Sequence, residues 1–154
     1  MAVSIPEEAA DMDQSLLFRK LNDVAATIEL PEGSILFQAG DRAEGLYLIR
    51  SGRVSLRWGT DPHVFLRETV GSGEIVGLAA ALNGTHDATA KLTEDGNLGF
   101  VSLPALHQLE DCCPAVSRAI TELIAYQVIC RRATYRRVCD IRHMNAEQIL
   151  PSSI

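Results

Sequence analysis

The sequence predicts an α+β domain: short antiparallel strands in a closed or sandwiched arrangement, led by a short helix and followed by a long one. Three observations carry this. Between Ala26 and Ser102, about eight β-like runs are separated by turns rich in Gly, Pro and Asp. An amphipathic segment with Leu16, Leu17 and Leu21 on one face precedes them, and after Pro114 neither Gly nor Pro occurs as far as His143. A length of 154 residues suits one domain, and 47% hydrophobic against 22% charged residues suffices for a sizeable core and argues against general disorder.

The elements follow in order. Residues 1–11 are acidic and aperiodic, as expected of a frayed tail. A helix is expected from Asp13 to Leu21, capped by Asp13 or Ser15, whose side-chain oxygens can accept from otherwise unpaired amides. Ile28–Leu30 runs into a Pro31-Glu32-Gly33 turn. Ser34–Phe37 closes at Gly40-Asp41. Leu46–Arg50 and Arg53–Trp58 flank Ser51-Gly52, the strongest hairpin signal in the chain. In the second of these runs Val54, Leu56 and Trp58 alternate with Arg53, Ser55 and Arg57, the pattern of a half-exposed strand. Val64–Thr69, Ala88–Leu92 and Leu98–Val101 are further strand candidates. Leu103–Leu109 is a short helix broken at Cys112-Cys113-Pro114, with Pro114 suited to the first turn of the next helix.

That next helix, 114–143, would extend roughly 45 Å at 1.5 Å per residue. Val116, Ile120, Leu123 and Ile124 form the seam expected to pack on the β-domain. Ile124, Val128, Tyr135 and Val138 form a second, approximately heptad seam that Arg131 interrupts. One amphipathic helix lying on its own sheet is one reading. A homodimer paired through this helix is the favoured one, because the outer half needs a partner for its apolar side.

Fourteen Lys and Arg against twenty Asp and Glu give a net charge of −6, which argues against nonspecific coating by nucleic acid. Arg131, Arg132, Arg136, Arg137 and Arg142 crowd the C-terminal part, where a solvated helix face is the simplest reading. No apolar run reaches the eighteen or so residues of a membrane span, and the N-terminus lacks the pattern of a secretion signal, so a cytoplasmic protein without membrane contact is expected. His63, His86, His107 and His143 are not at metal-ligand spacing and read as ordinary surface or turn histidines, although His86 beside Asp87 could tune a pocket. Cys112, Cys113, Cys130 and Cys139 suggest thiols, buried or half-buried, in a reducing compartment. Cys130 and Cys139 fall on opposite helix faces, and Cys112-Cys113 leaves a redox role open. No metal site, P-loop, hydrolase elbow or paired-carboxylate motif is present, so an enzyme is not expected.

Gly33-Ser-Ile-Leu-Phe-Gln-Ala-Gly40-Asp41, Leu46-Tyr-Leu-Ile-Arg-Ser-Gly52-Arg53-Val54 and Gly71-Ser-Gly73-Glu74-Ile-Val-Gly77 together resemble the glycine-punctuated framework of the cyclic nucleotide-binding domain, as in catabolite-activator-type regulators. The resemblance covers about residues 13–142 and implies a jelly-roll-like β-roll with a short N-terminal and a long C-terminal helix. It divides the chain into a tail, a domain over residues 12–143 and a C-terminal tail over 144–154. It also implies a phosphate-binding cassette. There a short helix opens beside the cyclic phosphate, a Glu after the opening Gly holds the ribose 2′-hydroxyl, and an Arg nine residues later pairs with the phosphate.

By family position the pocket is Gly77, Leu78, Ala79, Asp87, Ala88 and Thr89. Leu78 stands where the Glu is required and Asp87 where the Arg is required. No other register helps, since no Arg occurs between Arg67 and Arg118; Lys91 is the nearest cation. A charge-assisted hydrogen bond contributes about 1.5–3 kcal/mol, and Asp87 would repel the anion instead. The expectation is a regulatory or interaction module with an unidentified protein partner and no cofactor, binding cyclic AMP or cyclic GMP weakly or not at all. The alternative is a genuine small-ligand sensor whose occupancy moves the long helix. The ten residues after His143 and Met144 are too few for the family's winged helix-turn-helix, so direct sequence-specific DNA binding is not expected.

Overall fold

The computed structural model describes residues 13–61 and 64–130. Tyr135, Val138, the Arg131–Arg142 cluster, His63, His143, Cys139 and both expected tails lie outside the described residues.

Helix α1 (Gln14–Asn22) begins at Asp13, whose carboxylate accepts from the Leu16 amide at 2.9 Å. Of the two expected caps, it is the one used. Eight strands follow: β1 (Ala26–Leu30), β2 (Ile35–Phe37), β3 (Gly45–Ser51), β4 (Val54–Asp61), β5 (Val64–Val70), β6 (Ile75–Val76), β7 (Ala88–Leu92) and β8 (Gly96–Ser102). Between β6 and β7 lies a short helix, α2 (Leu78–Asn83). Helix α3 (Leu103–Cys112) is capped by Ser102, and α4 runs over 114–130.

The strands form two antiparallel four-stranded sheets, ordered β1-β8-β3-β6 and β2-β7-β4-β5. Period-two alternation along β3 divides the core. Leu46 and Leu48 face the helices, where they join Leu17 and Leu21 of α1, Leu106 of α3, and Val116 and Ile120 of α4. Ile49, with Tyr47 beside it, faces the other way and meets Phe37, Val54, Leu56, Val70, Ala90 and Leu92 from the second sheet. The result is three layers, helices on sheet on sheet, with one sheet buried on both faces.

The seam Val116, Ile120, Leu123 and Ile124 packs against the body as expected: the first two are fully buried, the last two half-buried. Three expectations fail. Ser51-Gly52 does not make a hairpin: β3 pairs with β6 and β8 and β4 with β5 and β7, so the turn passes the chain from one sheet to the other. Cys112 and Cys130, at the ends of the described α3 and α4 segments, are exposed, and of the three described cysteines Cys113 is the one half-buried against the core. His86 is neither a surface nor an ordinary turn residue. It is 5% exposed, because its ring lies under the inner face of the second sheet.

Candidate functional site

The site is built where β6 hands over to α2. Gly77 is the N-cap of α2 and sits at φ +85°, a left-handed conformation that glycine adopts without a Cβ penalty. A Cβ there would lie 3.3 Å from Cε1 of His86. Gly77 therefore does two things: it turns the chain into the helix and leaves room for the imidazole. Gly84 closes α2 in the same backbone region, and its amide donates to the carbonyl of Ala80 at 2.7 Å.

His86 is held on three sides. Its amide donates to the carbonyl of Asp41 at 2.9 Å, and its own carbonyl accepts from the Gly40 amide at 2.8 Å. Its ring lies flat on Phe37, with centroids 3.6 Å apart and planes 11° off parallel. Burial pushes the imidazole pKa below its ordinary value; Asp41 and Asp87 pull it up, but less. Burial thus favours the neutral form of the ring. Two carboxylates lie close to it.

Around this platform, Leu56 and Trp58 of β4, Ile75 and Val76 of β6, Leu78, Ala79 and Ala80 of α2, and Asp87 and Ala88 line one cavity. Gln127 of α4 completes the wall. The cavity volume is about 30 Å³. Since a water needs roughly 10–15 Å³ by the same measure, there is room for about two waters. The Trp58 indole N–H donates to Asp87 Oδ1 at 3.3 Å. None of the lining residues is Lys or Arg.

Of the residues singled out in the sequence, Gly77, Leu78, Ala79, Asp87 and Ala88 are brought together here. Leu78 is 2% exposed, buried in the core. Thr89 is turned away: its hydroxyl accepts from the Ala39 amide at 3.1 Å. Lys91 is exposed and does not line the cavity, because β7 alternation sends it to the outer face with Thr89 while Ala88 and Ala90 point inward. It can supply no charge to an anion in this pocket. Phe37, Trp58, His86 and Gln127 form the rest of the wall. The inward alternation of Trp58 was legible in the sequence, but no local signal points to Gln127.

On α4, Ile124 and Val128 are half-buried, while Tyr126 and Ile129 are 67% and 68% exposed. Beneath the same helix a second cavity of about 240 Å³ lies among Gln14, Glu68, Glu74, Leu123, Tyr126, Gln127 and Cys130. Burial raises the Glu74 pKa; the neighbouring Glu68 carboxylate adds to the rise, and a backbone hydrogen bond at Gly71 partly opposes it. Among the described residues no group of His, Cys, Asp and Glu could hold a metal ion, and no helix is long and apolar enough to cross a membrane.

Two facing sheets with a leading helix, a six-residue helix at the β6–β7 crossover and a trailing helix closing the pocket define a cyclic nucleotide-binding β-roll. The family model of the cyclic nucleotide-binding domain matches residues 27–111, and the chain belongs to that family. No curated protein matches the sequence. Among solved structures, the catabolite activator protein of Thermus thermophilus is 25% identical with a TM-score of 0.66 over 86% of this chain. The present chain spans 58% of that protein's length. The c-di-GMP responsive global regulator CLP of Xanthomonas campestris (23% identity, TM-score 0.62, 77% of this chain and 62% of that one) shares the fold. So does the sensor domain of the transcriptional regulator DNR of Pseudomonas aeruginosa (18%, 0.61, 82% and 91%).

Proposed function

We propose that this domain is a regulatory interaction module whose pocket does not take cyclic AMP or cyclic GMP in the family's usual way, and that it works as a homodimer through α4. One observation carries the reading: the cavity measures only about 30 Å³, Asp87 accepts from Trp58 in its wall, and neither Lys nor Arg lines it. Pockets that enclose small-molecule ligands measure about 300–1,000 Å³, so a nucleotide would have to displace Trp58 and then meet a carboxylate. By family position Leu78 and Asp87 replace the ribose Glu and the phosphate Arg. The swap at the second position changes the local charge by two units against an anion. The exposed Tyr126 and Ile129 beside half-buried Val128 support pairing of α4 with a second copy. The domain would then act as a regulator and not as a catalyst.

A second reading, a ligand sensor, draws on Gln127. This residue places α4 in direct contact with the pocket, so anything that enters the cavity touches the helix that leads out of the domain. The ligand would be neutral or cationic, since the Asp87 carboxylate and the imidazole offer acceptors and no Lys or Arg lines the cavity.

The test is restoration. The Leu78→Glu/Asp87→Arg variant should gain cyclic nucleotide binding by at least about tenfold over the parent, the return expected from one charge-assisted contact. If the variant is folded and gains nothing, Leu78 and Asp87 are not the cassette positions. Sedimentation at low micromolar concentration should show a dimer, and a clean monomer would remove the α4 pairing.

A further inference from the structure

The outer face of the β2-β7-β4-β5 sheet has a charge pattern that the pocket does not explain. Alternation along β4 and β5 sends Leu56, Trp58 and Leu66 inward and Arg57, Arg67 and Phe65 outward. Register places Arg57 directly opposite Arg67, with Thr89 on its other side, while Lys91 lies opposite Ser55 one diagonal away. Arg57, Arg67 and Lys91 are all exposed. Beside these three, the outward positions between Ser55 and Arg57 of β4 and between Phe65 and Thr69 of β5 hold no carboxylate, and Glu68 pairs with Leu56 and belongs to the inner face. A chain of net charge −6 thus gathers three cations on one sheet face.

Like charges directly opposite on neighbouring strands are destabilising. Here Phe65 holds them: the Arg57 guanidinium sits 4.2 Å from the ring centroid and that of Arg67 5.6 Å. The two guanidinium groups are therefore oriented by one ring, and among the described residues no carboxylate pairs with either. Cross-strand Cβ atoms lie about 5 Å apart and diagonal neighbours about 7–8 Å. The three charges thus form a bent row, Arg67 to Arg57 to Lys91, across three neighbouring strands, bordered by Ser55 and Thr69 and by Ile35, which is 51% exposed.

We propose that this face docks an acidic segment of a partner protein, with two carboxylates taken by Arg57 and Arg67, a third by Lys91, and an apolar side chain resting on Ile35. Guanidinium forks match carboxylates in bidentate geometry, which suits this chemistry better than a point charge does. A nucleic acid fits less well. Phe65 is already covered by cations, so it offers no stacking face for a base, and the acidic remainder of the chain repels a long polyanion. The inference concerns a different surface from the pocket and holds whether or not that pocket takes a ligand.

The experiment is fluorescence anisotropy of the full chain with three labelled probes: a short peptide alternating Glu and Leu, its Gln counterpart, and a single-stranded oligonucleotide of similar length. The Glu peptide should bind, the Gln peptide should bind at least about tenfold more weakly, and binding should weaken as salt rises. Arg57→Ala/Arg67→Ala should cost at least about tenfold, and Lys91→Gln, which has no part in the Phe65 stack, about threefold. Arg67→Thr, by relieving the cross-strand repulsion, should leave the melting temperature unchanged or higher while still weakening the peptide. Equal binding of the Glu and Gln peptides, tighter binding of the oligonucleotide, no binding of the Glu peptide, or loss in the variants that merely tracks unfolding would each overturn the proposal.

Discussion

Trp58 of β4 donates its indole N–H to the carboxylate of Asp87 at 3.3 Å, tying the inner face of one strand to the residue that precedes β7. Both residues line the cavity and their bond is exposed, so the domain's own side chains narrow the pocket on its solvent side. Trp58 is also the single tryptophan of the chain, which makes its emission a reporter on this site.

The first prediction uses that reporter. Asp87→Ala removes the acceptor and opens the solvent side of the cavity, so Trp58 emission should shift to the red as water reaches the indole. The bond is exposed, so stability should fall by only about 0.5–1.5 kcal/mol. An unchanged spectrum in the variant would show that the indole does not depend on Asp87.

Gly77 and Gly73 make a matched pair. Both have positive φ, +85° and +90°, but a Cβ at Gly73 meets nothing within 4 Å, whereas at Gly77 it meets His86 at 3.3 Å. Gly73→Ala should cost about 1–2 kcal/mol from the backbone alone. Gly77→Ala should cost more, with His86 pushed off Phe37. Urea unfolding of the two variants checks this, and equal losses would mean that His86 yields freely.

His86 and Glu74 give opposite pH dependences. The folded-state pKa of His86 is lowered by burial, so its contribution to stability is complete above its unfolded value of about 6.5 and is lost as pH falls through the folded value. Glu74 is raised by burial and by Glu68, so its contribution is complete below the ordinary carboxylate value and is lost as pH rises through the folded value. In urea titrations between pH 5 and pH 7, His86→Phe should make stability rise less with pH than in the parent. Glu74→Gln should make it rise more. The reverse order would mean that these two groups do not govern the slope.

Ile120 and Tyr126 separate the two faces of α4. Ile120 is 1% exposed in the helix-side core, and its truncation to Ala should cost about 2–5 kcal/mol. Tyr126→Glu/Ile129→Glu should barely change the stability of the single domain, yet shift the sedimenting species from dimer to monomer. A dimer that survives both charges would place the contact elsewhere.

Much of the fold was legible because its signals are local. Period-two alternation in Val54–Trp58 and the Gly-free run after Pro114 each reflect constraints within a few residues. Ser51-Gly52 has the composition of a hairpin turn but carries the chain from one sheet to the other, a distinction that only the topology makes. The site was legible only in part. Leu78 and Asp87 could be located through the family framework, but the stack of His86 on Phe37 joins segments that only the sheet topology brings together. Its polar neighbours Thr85 and Asp87 made His86 look like part of a surface turn. Gln127 was hidden for a similar reason, since the helix period says which residues share a face but not which pocket that face covers. The exposure of Lys91 was in principle readable from β7 alternation, with Ala88 and Ala90 as the inward set.

On the proposed function, this pocket as it stands does not bind ordinary cyclic nucleotides. Calorimetric titration of the unaltered chain with cyclic AMP and with cyclic GMP tests it most directly. The expected result is no saturable heat at micromolar ligand, with Trp58 emission unchanged in the same samples. Saturable binding in the micromolar range by either nucleotide would contradict it.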